Sequence, residues 1–189
     1  MYQQFLSVLA ITLTLLAFVP YIISINKGKT KPHVFSWIIW GSTTFIAFLA
    51  QVEGGGGIGV LAIGLSGIIS IYIAFVAWVK KSEIIISRWD WLFFLSGMLS
   101  LPLWYLTNNP LWAIVILTAV DAIGFMPTIR KVYSHPFDED LTFFGIFMVR
   151  NFVVVSALSV CSLTTILFPA VMGFACLVLI LVALYRRNI

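Results

Sequence analysis

Read along its length, the chain alternates long apolar runs with short polar breaks. Seven runs stand out, at 4–25, 33–51, 57–79, 91–106, 110–132, 141–160 and 164–185. Most hold close to the roughly 20 apolar residues that carry a helix across a bilayer core. The pattern predicts an all-α integral membrane protein of seven transmembrane helices. The fourth run is the shortest and contains Pro102. The last two runs are parted only by a short polar stretch at 161–165.

Charge sharpens this picture. Lys27, Lys29, Lys31, Lys80, Lys81, Arg88, Arg130, Lys131, Arg186 and Arg187 all fall in breaks, or at run ends, on one side of the expected bundle. The remaining basic residue, Arg150, stands inside a run. Loops rich in Lys and Arg stay in the cytoplasm, so the N-terminus is expected outside and the C-terminus inside. Such an arrangement needs an odd number of spans, in agreement with seven.

Composition excludes the main competitor. Of 189 residues 61% are hydrophobic and 10% charged, against about 25% charged in a typical soluble domain. So few charges cannot wet a soluble surface, and the runs leave no room for a soluble domain. The net charge of +4 belongs to loops beside spans and does not point to nucleic acid. Short loops suggest a bacterial inner (plasma) membrane. The start, Met-Tyr-Gln-Gln, has no basic segment before its apolar run, which argues against a cleaved signal peptide. Cys161 and Cys176 are expected as free thiols. Trp78, Trp89, Trp91 and Tyr185, and on the other side Trp104, Tyr105 and Trp112, sit where aromatic belts anchor helices. Ser66, Ser70 and Ala74, with Gly59 and Gly67, form a small-residue stripe that reads as a helix-packing seam.

The chain also repeats itself. Ala17-Phe18-Val19-Pro20-Tyr21-Ile22 ends the first run, and Gly124-Phe125-Met126-Pro127-Thr128-Ile129 ends the fifth. An offset of 107 residues carries one proline onto the other. Each half reads as a helix with a late proline, a charged loop, a helix, a short turn and a helix. The division is a first three-helix repeat at 1–80, a loop and linker helix at 81–107, and a second repeat at 108–189. The intervening helix makes the two repeats parallel, a 3+1+3 arrangement. In this layout the chain resembles the PQ-loop superfamily, which includes the SWEET sugar transporters, cystinosin-type exporters and KDEL receptors. The family's Pro-Gln is Pro20-Tyr21 and Pro127-Thr128 here, so the resemblance implies a topology and not a substrate. Vitamin transporters of the PnuC type share a similar layout. Proline removes a helix hydrogen bond and lets the helix bend. Pro20 and Pro127, in register near the cytoplasmic mouth, are candidate hinges, the alternative being two static kinks.

Two charges inside runs are the sharpest functional signal. Asp121 and Arg150 each lie about 14 Å along their helices from the basic side, at ~1.5 Å per residue. A charge at that depth costs ~2.5–3.5 kcal/mol on insertion scales, so it faces a cavity or a partner. An Asp121–Arg150 pair, or joint contact with a solute, is expected. The plain alternative is an ion pair that only sets helix register. Thr118 and Asn151 stand beside them as further hydrogen-bonding groups. In the first half the repeat places Thr14 opposite Asp121. Allowing one residue for a shorter loop places Thr44 opposite Arg150, with Ser42 and Thr43 adjacent. Trp40 could stack on a ring-shaped ligand or face lipid, while Trp37 reads as a belt residue. Gly54 to Gly57 read as a turn; Asp138, Glu139 and Asp140 as a helix start that could also close an inner gate; His33 and His135 as loop histidines.

These features predict a transporter or facilitator of a small polar solute, working by alternating access with a midplane site between the half-bundles. A receptor or sorting protein of the same fold, binding without translocation, is the alternative. An enzyme has least support, since the runs hold no histidine cluster and no paired carboxylates. No cofactor or metal is expected. The partners are the lipid bilayer, a small-molecule solute and, compatible with the pattern, a second copy in a homo-oligomer.

Overall fold

The computed structural model describes residues 2–28, 34–80, 88–134, 136 and 141–188. Among these, the side chains of 35, 36, 89, 90, 93, 126–128, 130, 131 and 134 are outside the description. The readings of His33, His135, Asp138, Glu139 and Asp140, and of the Trp89 and Pro127 side chains, therefore fall outside the described residues.

All regular structure among the described residues is helical: α1 Tyr2–Asn26, α2 Val34–Glu53, α3 Leu61–Val79, α4 Arg88–Met98, α5 Ser100–Thr107, α6 Pro110–Ser134, α7 Leu141–Ala157 and α8 Leu163–Arg187. Three stretches, Tyr2–Asn26, Gly57–Val79 and Leu163–Arg187, are long and apolar enough to cross a membrane by length and composition. Shorter apolar helices run through Phe94–Thr107, Pro110–Phe125 and Leu141–Ala157.

Three departures from the hydropathy reading have local causes. The third run opens with a 3₁₀ turn, Gly57–Val60, before α3. Gly55 and Gly57 take φ of +81° and +64° there, a conformation open to glycine without steric cost. The fourth run is two helices, broken at Leu99. Pro102 has no N–H to offer the carbonyl four residues back, the Leu103 N–H reaches Leu99 O only at 3.4 Å, and the Ser100 hydroxyl caps Gly97 O at 2.6 Å. The sixth run stops as helix at Ala157, short of residue 160. Ser162 then starts α8 with a capping box in which Thr165 accepts from the Ser162 N–H at 3.0 Å, so two donors at the helix start are satisfied reciprocally.

Packing follows a regular plan. α3 packs on both α1 and α2, and α8 packs on both α6 and α7. The two sets meet along two seams, α1 with α7 and α2 with α6, while α4 lies on α2 and α6 and α5 on α6. Glycines bring α2 and α3 close: a Cβ on Gly67 would stand 2.9 Å from Phe45 N, and one on Gly41 2.9 Å from Ile71 N. Small residues permit this backbone approach.

Hydrogen bonds define the two ends of the bundle. At one, Gln3 Nε2 donates to Leu158 O at 3.2 Å and Ser159 N to Gly56 O at 3.1 Å; we call it the glycine end. At the other, the basic end, Lys80 Nζ donates to Ile25 O and Asn26 O at 3.1 and 3.0 Å, and Arg186 Nε to Tyr133 O at 2.9 Å.

The core changes character between these ends. Toward the glycine end, Ala10, Ala47, Ile63, Ile114, Val154 and Phe168 belong to one buried cluster drawn from all six of α1, α2, α3, α6, α7 and α8. Toward the basic end the described residues form two smaller clusters, the first with Phe147 of α7 packed against it. Phe18, Ile25, Trp37, Ile73 and Ala74 form one cluster, and Val132, Leu179 and Ala183 another. Ring contacts between Phe18 or Tyr21 and Phe143 or Phe147 still tie α1 to α7 there. The exterior is apolar, with Phe5, Leu16, Ile68, Phe75, Phe174 and Leu181 all exposed. The interior holds Thr14, Thr43, Ser66, Ser70, Thr118, Asp121, Arg150 and Asn151. Trp78, Trp91, Tyr105, Trp112 and Tyr185 are exposed, and Cys161 and Cys176 are free.

Candidate functional site

The two internal charges lie between the large cluster toward the glycine end and the smaller ones toward the basic end. On α7, Arg150 is 1% exposed. Its Nε donates to Thr14 Oγ1 on α1 at 3.2 Å, its Nη1 to Asn151 Oδ1 at 2.9 Å, and its Nη2 to Ser66 Oγ and, at 3.5 Å, to Ala62 O, both on α3. The guanidinium also lies 4.3 Å from the centroid of the Phe147 ring. Every hydrogen-bonding partner is neutral. Each can accept because its own proton is placed elsewhere: Thr14 donates to Ala10 O and Ser66 to Ala62 O, both at 2.9 Å. Asn151 likewise donates through Nδ2 to Phe147 O at 2.9 Å. Mid-helix hydroxyls that bond one turn back keep their lone pairs free to accept.

On α6, Asp121 is buried, and its Oδ1 lies 3.0 Å from Thr43 Oγ1 on α2. The Thr43 hydroxyl is also within 2.9 Å of Ile39 O and 3.2 Å of Trp40 O. One proton serves three acceptors there, so the link to Asp121 is shared. Thr118, one turn before Asp121, is buried, and its Oγ1 has no hydrogen-bond partner among the described residues. Trp40 is 37% exposed. Its Nε1 lies 3.6 Å from where a Cβ on Gly124 would stand, one turn along α6 from Asp121.

The expected Asp121–Arg150 pair is corrected by this geometry. Among the described residues no ion pair joins them; Arg150 is held by Thr14 of α1 and Asp121 by Thr43 of α2. The expectation failed because matching depth on consecutive helices does not make them neighbours, and α6 and α7 are not among the principal packing pairs. The register of the first half also shifts. Thr43, not Thr44, is the residue at the seam; Thr44 is only partly buried. A constant offset of 107 then relates both contacts, carrying Thr14 onto Asp121 and Thr43 onto Arg150. The same offset carries Trp40 onto Phe147, Ala17 onto Gly124 and Thr44 onto Asn151. Ser66, read from the sequence as part of a packing stripe, is buried there and also accepts from Arg150. A serine among small residues gives no sign of a donor arriving from a distant helix. Gly67 lies against Phe45 and Gly173 against Phe152, and the same offset of 107 carries Phe45 onto Phe152.

Comparison with known protein families, with characterised proteins and with solved structures finds no match.

Proposed function

We propose that the chain is an integral membrane protein in which two parallel three-helix repeats, α1–α3 and α6–α8, are joined by α4 and α5, and that it transports a small polar solute by alternating access. An apolar exterior around a buried polar belt supports the membrane reading, because a folded chain in water would present the reverse. The mirrored packing of α3 and α8, and the 107-residue relation between the two seams, support the repeat. The topological resemblance to the PQ-loop superfamily is part of this proposal.

The observation that carries transport is the buried polar belt at the two seams, where Arg150 of α7 meets Thr14 of α1 and Asp121 of α6 meets Thr43 of α2. Charged groups buried at mid-helix depth mark solute and proton sites in membrane carriers. Thr14–Arg150 and Thr43–Asp121 are cross-repeat contacts at the pivot, and Thr118, Asn151, Thr44 and Trp40 border them. Pro20 and Pro127 lie basic-ward of the pivot, where bending would open or close the basic end.

The test is labelling of Thr44→Cys by membrane-impermeant thiol reagents in proteoliposomes, in a Cys161→Ser, Cys176→Ser background. Reaction from either face supports transport. Reaction from one face alone supports the receptor reading, and protection from both faces overturns the proposal of a site at the two seams.

A further inference from the structure

The two seams are equivalent in position and complementary in content. At the α1–α7 seam the protein supplies its own cation. The Arg150 guanidinium lies over the Phe147 ring and takes the Thr14 hydroxyl as acceptor. At the α2–α6 seam each of these three elements has a counterpart. Position 43 carries threonine in place of the arginine, so no built-in cation is present. Position 121 carries a carboxylate in place of the Thr14 hydroxyl. Position 40 carries Trp in place of Phe147, and indole is the best of the aromatic faces for a cation.

We propose that the α2–α6 seam binds a monovalent organic cation, an ammonium-type group that takes there the place filled by the Arg150 guanidinium at the other seam. This rests on the transport reading and names the chemical class of its solute. Asp121 supplies the counter-charge and Trp40 the π face, and the Thr43 and Thr118 oxygens accept from an N–H or O–H that the cation carries.

Three independent observations support it. Asp121 is a buried carboxylate whose single described hydrogen bond comes from a hydroxyl shared with two carbonyls. Thr118, one turn away on α6, has a buried oxygen with no hydrogen-bond partner among the described residues. Trp40 brings its indole Nε1 to 3.6 Å from where a Cβ on Gly124 would stand, at the seam, with Trp37 edge-on at 5.6 Å and no described cation over it, whereas the Arg150 guanidinium lies over Phe147 at the equivalent position. One carboxylate with hydroxyls suits a single positive charge. No group of three or more His, Cys, Asp or Glu that could hold a metal occurs among the described residues.

The test uses the purified full-length protein in detergent, with choline chloride as probe and 3,3-dimethylbutan-1-ol as its uncharged isostere. Isothermal titration and the melting temperature are read at constant ionic strength. Choline is expected to bind and to raise the melting temperature, with the alcohol at least tenfold weaker. Asp121→Asn and Trp40→Leu are each expected to lose about tenfold or more in affinity. Thr43→Arg, which rebuilds the first seam's cation at the second, is expected to fold and to ignore choline. Equal binding of choline and the alcohol, wild-type affinity in Trp40→Leu, or no choline binding overturns the proposal. Equal stabilisation by sodium chloride also overturns it, by assigning the site to an inorganic cation. Should Asp121→Asn not fold, Trp40→Leu and Thr43→Arg decide. A negative result here alongside two-sided labelling of Thr44→Cys would remove the cation assignment and leave transport standing.

Discussion

Replacing Thr14 by valine tests the reading of the polar belt directly. The side chains are nearly the same size, so packing at this fully buried position is preserved. What is lost is the acceptor for Arg150 Nε, now 3.2 Å away, leaving a cationic N–H without a partner. A hydrogen bond to a charged group contributes ~1.5–3 kcal/mol in water-soluble proteins. Within a membrane the unfolded helices find other partners, which reduces such contributions to ~0.6 kcal/mol on average and ~1.7 at most. Arg150 keeps Asn151, Ser66 and Ala62 O, so the guanidinium is not stripped bare. Together these place the loss at about 1.5 kcal/mol. The control is Thr12→Val, whose exposed hydroxyl bonds only within its own helix, to Val8 O at 2.9 Å. Reversible unfolding in mixed micelles, followed by circular dichroism, compares the two against wild type. If both valine variants match wild type within about 0.3 kcal/mol, Thr14 is not an energetic part of the belt and the reasoning fails.

Other consequences follow from neighbouring geometry. Arg150→Lys keeps the charge but cannot reach Thr14, Asn151 and Ser66 at once, and should cost ~2 kcal/mol or more in the same unfolding assay. Gly59→Ala places a Cβ 2.5 Å from Ala157 O and 2.6 Å from its carbonyl carbon, so the 3₁₀ turn must move off α7 at a cost of ~1–3 kcal/mol. Gly145→Ala adds a methyl with nothing within 4 Å in mid-α7, and should stabilise by up to ~1 kcal/mol; a destabilised variant would show that α7 is packed more tightly there. Pro20→Ala with Pro127→Ala should slow solute exchange in proteoliposomes at least severalfold without lowering the melting temperature; unchanged exchange would make both prolines static kinks.

Element positions were legible because hydropathy is a local property. A run of about twenty apolar residues becomes a helix whatever its neighbours do, and α1, α6 and α8 begin within two or three residues of the predicted places. Local chemistry that breaks the apolar rule was partly legible. Pro102 marked the fourth run as the weakest, but the break at Leu99 depended on how Ser100 caps Gly97, and the early end of α7 on where Ser162 and Thr165 close their box. The offset of 107 that carries Pro20 onto Pro127 also carries Thr14 onto Asp121 and Thr43 onto Arg150. The single-residue error at Thr44 came from measuring that offset through a loop rather than through the helices that pack.

The sequence by itself determined that the chain is all helical, where its apolar helices lie, and that Asp121 and Arg150 fall inside them. Only the tertiary structure decided which groups those charges meet. Burying a charge obliges it to find a partner but does not say which one. Side chains three and four residues apart share a helix face whatever the fold, whereas Thr14 and Arg150 meet only because α1 packs on α7. The choice of threonines over a direct ion pair is therefore a consequence of helix pairing. It leaves one seam with a cation of its own and the other without.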